Sequence, residues 1–242
     1  MKATFNKSAK EALVLMADDI KKLFTTISDF ADGAVIAIGC MDEIARYPKN
    51  MDYLLNYENS SQREIHTLRL AGISNDSSKS ARLTVKNTLV GDSFDLEATG
   101  PEEDVARLTD KIQEILAGLR PKYGFLAKTN LFYLGIAFAV FIAITVVLLA
   151  SIIPKTPASA STSPESWQSN AIVTGISLLV ALGPIILGLV LELLKSKVFP
   201  LVTFGIGQGK RRHTFREYIR TVIIVGIIVS MVAGLITYRM TN

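Results

Sequence analysis

The chain has 242 residues, of which 49% are hydrophobic, and its formal net charge is +4. The single cysteine, Cys40, excludes an internal disulfide and suits a reducing compartment. Residues 1–129 carry 17 basic and 19 acidic side chains, whereas residues 130–242 carry 9 and 3, so the basic excess belongs to the apolar half and does not indicate a nucleic-acid-binding domain.

The first 30 residues predict a helix and no secretion signal. Charged residues such as Asp18 and Lys21 interrupt the apolar pattern, so we expect the N-terminus to stay in the cytosol. Ser8 is a suitable cap for a helix that runs to about Phe30. The apolar side chains of this helix recur every three or four residues and form one stripe, which consists of Leu13, Met16, Ile20, Leu23, Ile27 and Phe30.

The next seventy residues predict an antiparallel sheet. Val35–Cys40 is typical of a buried strand, and 50–57 favours a short helix. Strand-like runs follow at 64–70, 82–86 and 94–98. In the last two, apolar and polar residues alternate, which is typical of strands with one buried and one solvated face.

A second helix follows Pro101. Three acidic residues in its first turn suit the positive end of the helix dipole: Glu102, Glu103 and Asp104. Its inner stripe is Val105, Leu108, Ile112, Ile115 and Leu119. We therefore predict an α+β cytosolic domain over residues 1–125, an antiparallel sheet with flanking helices, that serves for sensing or interaction.

Three uncharged runs predict a three-helix transmembrane module over residues 126–242. We place the helices at about 131–153, 171–194 and 218–238. At about 1.5 Å per residue, each is long enough for a hydrocarbon core of about 30 Å. Tyr123 and Tyr133 are candidates for an aromatic belt at the inner interface.

The loops predict the orientation. The segment 195–220 carries seven basic residues and one acidic residue, Glu217, so the positive-inside rule places a basic loop at 195–217 in the cytosol. The loop 154–170 is then outside, as is the C-terminus. We expect a multi-pass protein of the cell inner membrane, with its N-terminus in the cytosol and the lipid bilayer as a partner.

Small residues and one proline mark the predicted spans. Two faces have small residues at every fourth position, suited to close helix packing within one chain or between chains: Gly135, Ala139, Ala143, and Gly226, Ser230, Gly234. Gly183 and Pro184 predict a kink, either static or a gating hinge. Glu192 suits an interfacial pair with Lys195, or a ring of acids lining the pore of an oligomer.

The segment 199–216 combines alternating glycines with a basic run. Its apolar beginning, 199–204, is too short to span a bilayer, so we expect it in the interface or against the helix bundle. Main-chain donors followed by positive charges suit an anion or a lipid headgroup, and the candidate ligand-binding residues are Gly207, Gly209, Lys210, Arg211, Arg212 and Arg216. A Walker A loop is excluded because Phe204 stands at its first glycine position. The alternative is a topology signal that touches acidic headgroups.

Motifs for catalysis are absent from the sequence. The two histidines, His66 and His213, form no recognisable zinc set with one cysteine, and neither a hydrolase elbow nor a His-Glu-x-x-His motif occurs. We expect no catalytic residues, no metal site, no cofactor and no enzyme activity.

The overall layout and the basic glycine-rich segment resemble the transmembrane effectors of bacterial antiphage defence systems. In that group a small cytosolic sensor is joined to a few transmembrane helices. The resemblance implies an effector that oligomerises and permeabilises the membrane when a nucleotide-type signal changes.

Two functions from different classes follow. The leading hypothesis is an oligomeric, signal-controlled membrane channel or pore, regulated by a phosphate-bearing ligand such as a nucleotide or an oligonucleotide. The alternative is a membrane-anchored scaffold or receptor that recruits a cytosolic protein partner through its sheet or amphipathic helix. A lipid-modifying enzyme is the third hypothesis.

Overall fold

The computed structural model describes residues 1–88, 91–152 and 165–241. They divide into two compact units: residues 1–128 together with those from 198 onward, and residues 129–197. Residues 154–164 of the predicted outer loop lie outside the described residues, whereas 165–170 begin a helix.

The first unit contains a sheet, a smaller strand pair and five helices among its described residues. In chain order its elements are β1 (Lys2–Ala9), β2 (Leu13–Met16), α1 (Ala17–Phe30), β3 (Val35–Cys40), β4 (Ala45–Arg46), α2 (Met51–Leu55), a 3₁₀ turn (Ser61–Arg63), β5 (Ile65–Ile73), β6 (Ser80–Lys86), β7 (Phe94–Pro101), α3 (Glu102–Gly118), α4 (Gly124–Lys128), β8 (Val202–Gly205) and a C-terminal helix (Gln208–Thr241). The prediction of an α+β domain with an antiparallel sheet and flanking helices is confirmed.

The main sheet has the order β1-β7-β6-β5-β3-β4, and every neighbouring pair is antiparallel. Helices α1 and α3 pack against each other and against the sheet, so they cover the same face. Leu83 of β6 lies between Leu70 of β5 and Leu96 of β7, and all three are buried. The predicted alternation in 94–98 is confirmed, because Leu96 is buried and its neighbour Glu97 is half-exposed.

The predicted helix at the N-terminus is wrong in its first half. Helix α1 begins at Ala17, and the residues before it form two strands, Lys2–Ala9 and Leu13–Met16. Ser8 does not cap a helix, since its hydroxyl donates to Asp95 Oδ1 at 2.6 Å across the β1–β7 pair. The backbone N–H of Met16 instead donates to Asp19 Oδ2 at 3.1 Å, which satisfies one polar group at the true start of the helix.

Strands β2 and β8 pair in parallel, with Leu13 opposite Val202 and Leu15 opposite Phe204. The whole run from Leu201 to Ile206 is buried and belongs to the core of the α+β unit. The expectations of a basic loop at 195–217, and of an interfacial position for 199–204, are therefore wrong. Backbone pairing with β2 satisfies the polar groups of this segment, so it can be buried in protein.

The second unit contains α5 (Leu131–Ile152) and α6 (Glu165–Val198), which approach closely at two glycines. A Cβ atom on Gly135 would lie 2.7 Å from the carbonyl oxygen of Pro184, and one on Gly188 would lie 3.0 Å from that of Leu131. The small residue predicted at 135 thus permits backbone contact inside this unit. Its counterpart, Gly188, was not predicted from the sequence.

Among the described residues one helix, α7 (Gln208–Thr241), is long and apolar enough to cross a membrane. Its 34 residues measure about 51 Å, well beyond a hydrocarbon core of about 30 Å. The apolar helical stretch Leu131–Thr145 of α5 is shorter. The predicted transmembrane module is therefore supported for one helix.

Replacing Phe204 with Ala tests whether β8 belongs to the core. The Phe204 side chain is 4% exposed, so its loss should lower the free energy of unfolding by about 3–5 kcal/mol. Phe215→Ala is the matched control, because Phe215 on α7 is 64% exposed. Near-ultraviolet circular dichroism during thermal unfolding in detergent measures both. Equally small shifts for the two variants would contradict a core position for β8.

Candidate functional site

The candidate site is the junction, defined as residues 198–220, where α7 leaves the α+β core. The main-chain groups of its first part are held by hydrogen bonds. The backbone N–H of Leu13 donates to Leu201 O at 2.7 Å, and that of Val202 donates to Asn87 Oδ1 at 3.3 Å. The junction therefore adds a buried strand, β8, to the unit.

Asn59 fixes the middle of the junction. Its Nδ2 group donates to the carbonyl oxygens of Phe204 and Ile206 at 3.2 and 3.1 Å, and its Oδ1 accepts from the backbone N–H of Ile65 at 2.9 Å. The residue is 1% exposed and has φ of 50°, a conformation that asparagine tolerates better than most residues. Because a buried amide without partners is unfavourable, these three bonds select one docked position for the segment.

Gly207 and Gly209 permit the backbone to pass close to Asn59. Gly207 has φ of 50°, and a Cβ atom there would overlap the carbonyl oxygens of Tyr57 and Glu58. A Cβ atom on Gly209 would overlap the carbonyl oxygen of Phe204. The N–H of Gly209 donates to Ile206 O at 2.8 Å, so this donor, predicted to face an anion, is used within the chain. Close packing accounts for both glycines without a ligand.

The four predicted basic residues divide into two pairs. Arg212 donates to Asn59 O at 2.8 Å, and both Arg212 and Arg216 lie near the Glu64 carboxylate, at 3.6 and 3.7 Å. Lys210 and Arg211 are exposed on the first turn of α7. One pair therefore docks α7 on the α+β core, and the other remains available to an anion or a headgroup.

A third group, missed by the sequence analysis, lies on the docked face of α7. Arg220 is 4% exposed, its Nε donates to Val198 O at 2.7 Å, and its guanidinium carbon lies 3.8 Å from the centre of the Tyr123 ring. His213, seven residues earlier, is also buried, with Nε2 3.5 Å from Glu217 Oε1. His213, Arg216 and Arg220 are spaced by three and four residues, which predicts that they lie on one face of a helix.

Tyr123, predicted in an aromatic belt, packs on the junction. Its ring centre lies 5.7 Å from that of Phe199 at an interplanar angle of 59°, a tilted aromatic pair. Burial raises the pKa of the Tyr123 phenol, against the opposing effect of the nearby Arg220 charge. The phenol is therefore a hydrogen-bond donor at neutral pH.

A cleft of about 250 Å³ adjoins the same junction. It is lined by polar and aromatic residues: Tyr53, Asn56, Tyr57, Glu58, Asn59, Ser60 and Arg63. Burial raises the pKa of Tyr57 to about 12, and the hydrogen bond between its hydroxyl and Cys40 Sγ at 3.5 Å contributes in the same direction. Residues 57–59 line the cleft and also touch Gly207 and Gln208, since Glu58 O accepts from Gln208 N at 2.8 Å. A displacement of residues 57–59 would therefore be transmitted directly to the start of α7.

The predicted gating residues belong to the second unit. Lys195 Nζ lies 2.7 Å from Glu192 Oε1, so the predicted pair is confirmed. Glu192 Oε2 also accepts from the backbone N–H of Leu131 at 2.8 Å, at the first turn of α5. Pro184 lies inside α6, and a Cβ atom on Gly183 would meet no described atom within 4 Å. Glu192 thus has a capping role that the sequence did not suggest.

The two predicted small-residue faces differ in their surroundings. On α5, Ala139 is buried and Ala143 is exposed. On α7, a Cβ atom on Gly226 or Gly234 would meet nothing within 4 Å in the described part of the chain, and the exposed Ser230 donates to Gly226 O at 2.8 Å. The face on α7 is therefore open for contact with lipid or another helix.

No family model, curated protein or solved structure matches the chain. Across 1–88, 91–152 and 165–241, no three His, Cys, Asp or Glu residues are grouped so that they would hold a metal ion. The geometry of the junction and the composition of α7 therefore carry the functional argument.

Replacing Asn59 with Ala should release the junction. The change removes the side-chain partner of Phe204 O and of Ile65 N–H, and one of the two donors to Ile206 O, so we expect a loss of about 3 kcal/mol of stability, concentrated locally. Amide hydrogen exchange in detergent should rise at least tenfold at residues 204–209. Asn6→Ala, at an exposed position of β1, is the control. Unchanged exchange at 204–209 in Asn59→Ala would contradict the docking role of Asn59.

Two substitutions at Glu192 separate capping from pore lining. Glu192→Ala removes the acceptor for Leu131 N–H and should cost about 1 kcal/mol, the scale of a lost helix cap. Glu192→Gln keeps an acceptor oxygen, so its loss of stability should be about half that of Glu192→Ala. Thermal unfolding of the detergent-solubilised protein measures the difference. Unchanged unfolding together with altered ion selectivity in both variants would favour the pore-lining role.

Proposed function

We propose that the protein is a signal-controlled membrane effector, in which the α+β unit governs an oligomeric channel or pore. The observation that carries the proposal is the continuity of α7. The helix is fixed to the α+β core at one end and ends in an apolar stretch with exposed side chains, such as Val225, Val229 and Leu235. A helix without a break transmits a displacement of one end to the other.

The length of α7 supports this division of roles. About 20 residues cross a hydrocarbon core. The uncharged stretch 221–238 has nearly that length, and the preceding residues 208–220 carry the contacts to Asn59, Glu64 and Tyr123. The docked part thus lies outside the hydrocarbon, and the boundary falls next to Arg220.

The full proposal includes α5 and α6 as two further spans of the cell inner membrane. Helix α5 lies within the uncharged run 131–153 of the sequence, and α6 contains the uncharged run 171–191. The exposed Lys210 and Arg211 lie at the end of α7 that we place in the cytosol, in keeping with the positive-inside rule. The N-terminus is then cytosolic and the C-terminus outside.

Self-association follows from the size of the membrane part. Three helices are too few to enclose an aqueous pore, so a channel requires several copies. The open face of Gly226, Ser230 and Gly234 suits close contact between helices, since small residues let backbones approach. The controlling ligand in this proposal is a phosphate-bearing molecule.

A scaffold or receptor is the second candidate, favoured by the open face of the sheet. Val35 of β3 and Ile73 of β5 are exposed on the face opposite α1 and α3, and Ala71 lies between them, opposite Val35. Exposed apolar side chains on a sheet are suited to a protein partner. In this alternative the membrane helices act as an anchor and conduct no ions.

Potassium efflux from liposomes separates the two candidates. We expect the reconstituted full chain to release K⁺ when a panel of mono- and dinucleotides is added, and to run as an oligomer by mass photometry. Gly226→Val with Gly234→Val should lower both the oligomer mass and the efflux, because added bulk blocks close helix contact.

The matched control for this experiment adds bulk to another face of α7. Val225→Leu with Val232→Leu changes exposed positions roughly 150° around the helix from the small residues and should leave efflux unchanged. An intact oligomer that shows no efflux with any nucleotide would reject the channel and favour the scaffold.

A further inference from the structure

Arg220 is a buried charge with unused hydrogen-bonding capacity. Its Nη1 and Nη2 atoms are shielded from solvent and have no hydrogen-bond partner within the described residues. No ion pair of Arg220 occurs in that same part of the chain, and its one bond goes to Val198 O through Nε. Burying a guanidinium without a counter-charge is strongly unfavourable, so the site calls for an anion.

The neighbouring side chains have the same property. The Tyr123 hydroxyl, Thr203 Oγ1 and His213 Nδ1 are buried and lack partners among the described residues. The Arg220 guanidinium lies over the Tyr123 ring, and burial raises the pKa of the Tyr123 phenol while the Thr203 hydroxyl lowers it, so the three side chains are neighbours. They come from β8, α7 and the turn before α4, so the junction assembles them from three separate parts of the sequence.

We propose that Arg220, Tyr123 and Thr203 form a site for a phosphoryl group. A guanidinium offers two parallel N–H donors to an oxyanion, and two hydroxyls supply further donors. A phosphate monoester presents three terminal oxygens to this set, whereas a phosphate diester or a carboxylate presents two. The proposal rests on the proposed function for the position of the site at the membrane, and it names the part of the chain that reads the phosphate-bearing ligand.

The position of the site allows two sources for the phosphoryl group. Arg220 directly precedes the apolar stretch 221–238, at the depth where lipid headgroups lie if α7 spans the bilayer. The half-buried rings of Tyr123 and Phe199 lie over the guanidinium, at 3.8 and 5.8 Å, so a shift of these rings opens it. The group is then either a lipid headgroup or part of a soluble molecule.

Thermal unfolding of the delipidated full chain in a neutral detergent tests the site. The probes are inorganic phosphate, and mixed micelles that contain phosphatidic acid, a phosphate monoester, or, as a zwitterionic phosphodiester reference, phosphatidylcholine. Stabilisation by inorganic phosphate assigns a soluble source, and stabilisation by phosphatidic acid alone assigns a lipid source. Arg220→Gln should weaken the effective probe at least tenfold, about the effect of losing a charged hydrogen bond.

Matched variants distinguish a loss of binding from a loss of folding. Arg211→Gln removes an exposed arginine from the same helix and should bind as the wild type does. Tyr123→Phe and Thr203→Val keep the packing volume and should weaken binding several-fold, with unfolding in the absence of probe almost unchanged. Wild-type protein stabilised by neither probe, or equal binding by Arg220→Gln and the wild type, would overturn the site. Ion flux plays no part in the assay, so its outcome is independent of whether a channel exists.

Discussion

The carbonyl oxygens of Phe204 and Ile206 are buried, and the amide group of Asn59 donates to both. Without these bonds, Phe204 O would lose its side-chain donor and Ile206 O would keep only the Gly209 N–H, in a low-dielectric core where a lost hydrogen bond is costly. The pairing of β2 with β8 satisfies the neighbouring backbone groups. Everything that follows Gly207 in the chain therefore starts from a fixed point in the α+β unit.

Fixing the start of α7 has a mechanical consequence. Glu64 lies near Arg212 and Arg216 on successive turns, and Val198 and Tyr123 hold Arg220 one turn later. Displacing the helix relative to the core would therefore break contacts on three successive turns of α7 at the same time. Residues 57–59 line the cleft and contact Gly207, so they connect a surface site to the start of the helix.

Local patterns in the sequence predicted much of the sheet and failed where the pairing is distant. Val35–Cys40 forms the strand expected there, and the alternation in 94–98 places Leu96 in the core. Leu13 and Met16 fit a helical stripe equally well, because four residues cannot distinguish the two periods. Their true partners are 202–205, nearly two hundred residues away, and no local signal reports that pairing.

The candidate site was predictable in its composition and not in its geometry. Alternating glycines before a basic run are typical of an anion cradle, yet Gly207 serves a close approach to Tyr57 and Glu58 that only the fold creates. Arg220 was counted as a topology charge, because its burial depends on Tyr123 and Phe199 from other segments. Sequence identified the region, and tertiary packing assigned the roles.

A disulfide between the cleft wall and the start of α7 tests the central claim directly. The backbone N–H of Gln208 donates to Glu58 O at 2.8 Å, so the main chains at these two positions are in contact. Glu58→Cys with Gln208→Cys, on a Cys40→Ser background, therefore suits a disulfide, which needs closely spaced backbones. We expect oxidation in native membranes to give an intramolecular cross-link that reductant reverses, and neither single variant to form it. Reduced monomer only, or cross-links only between chains, would contradict the docking of α7 on the α+β core.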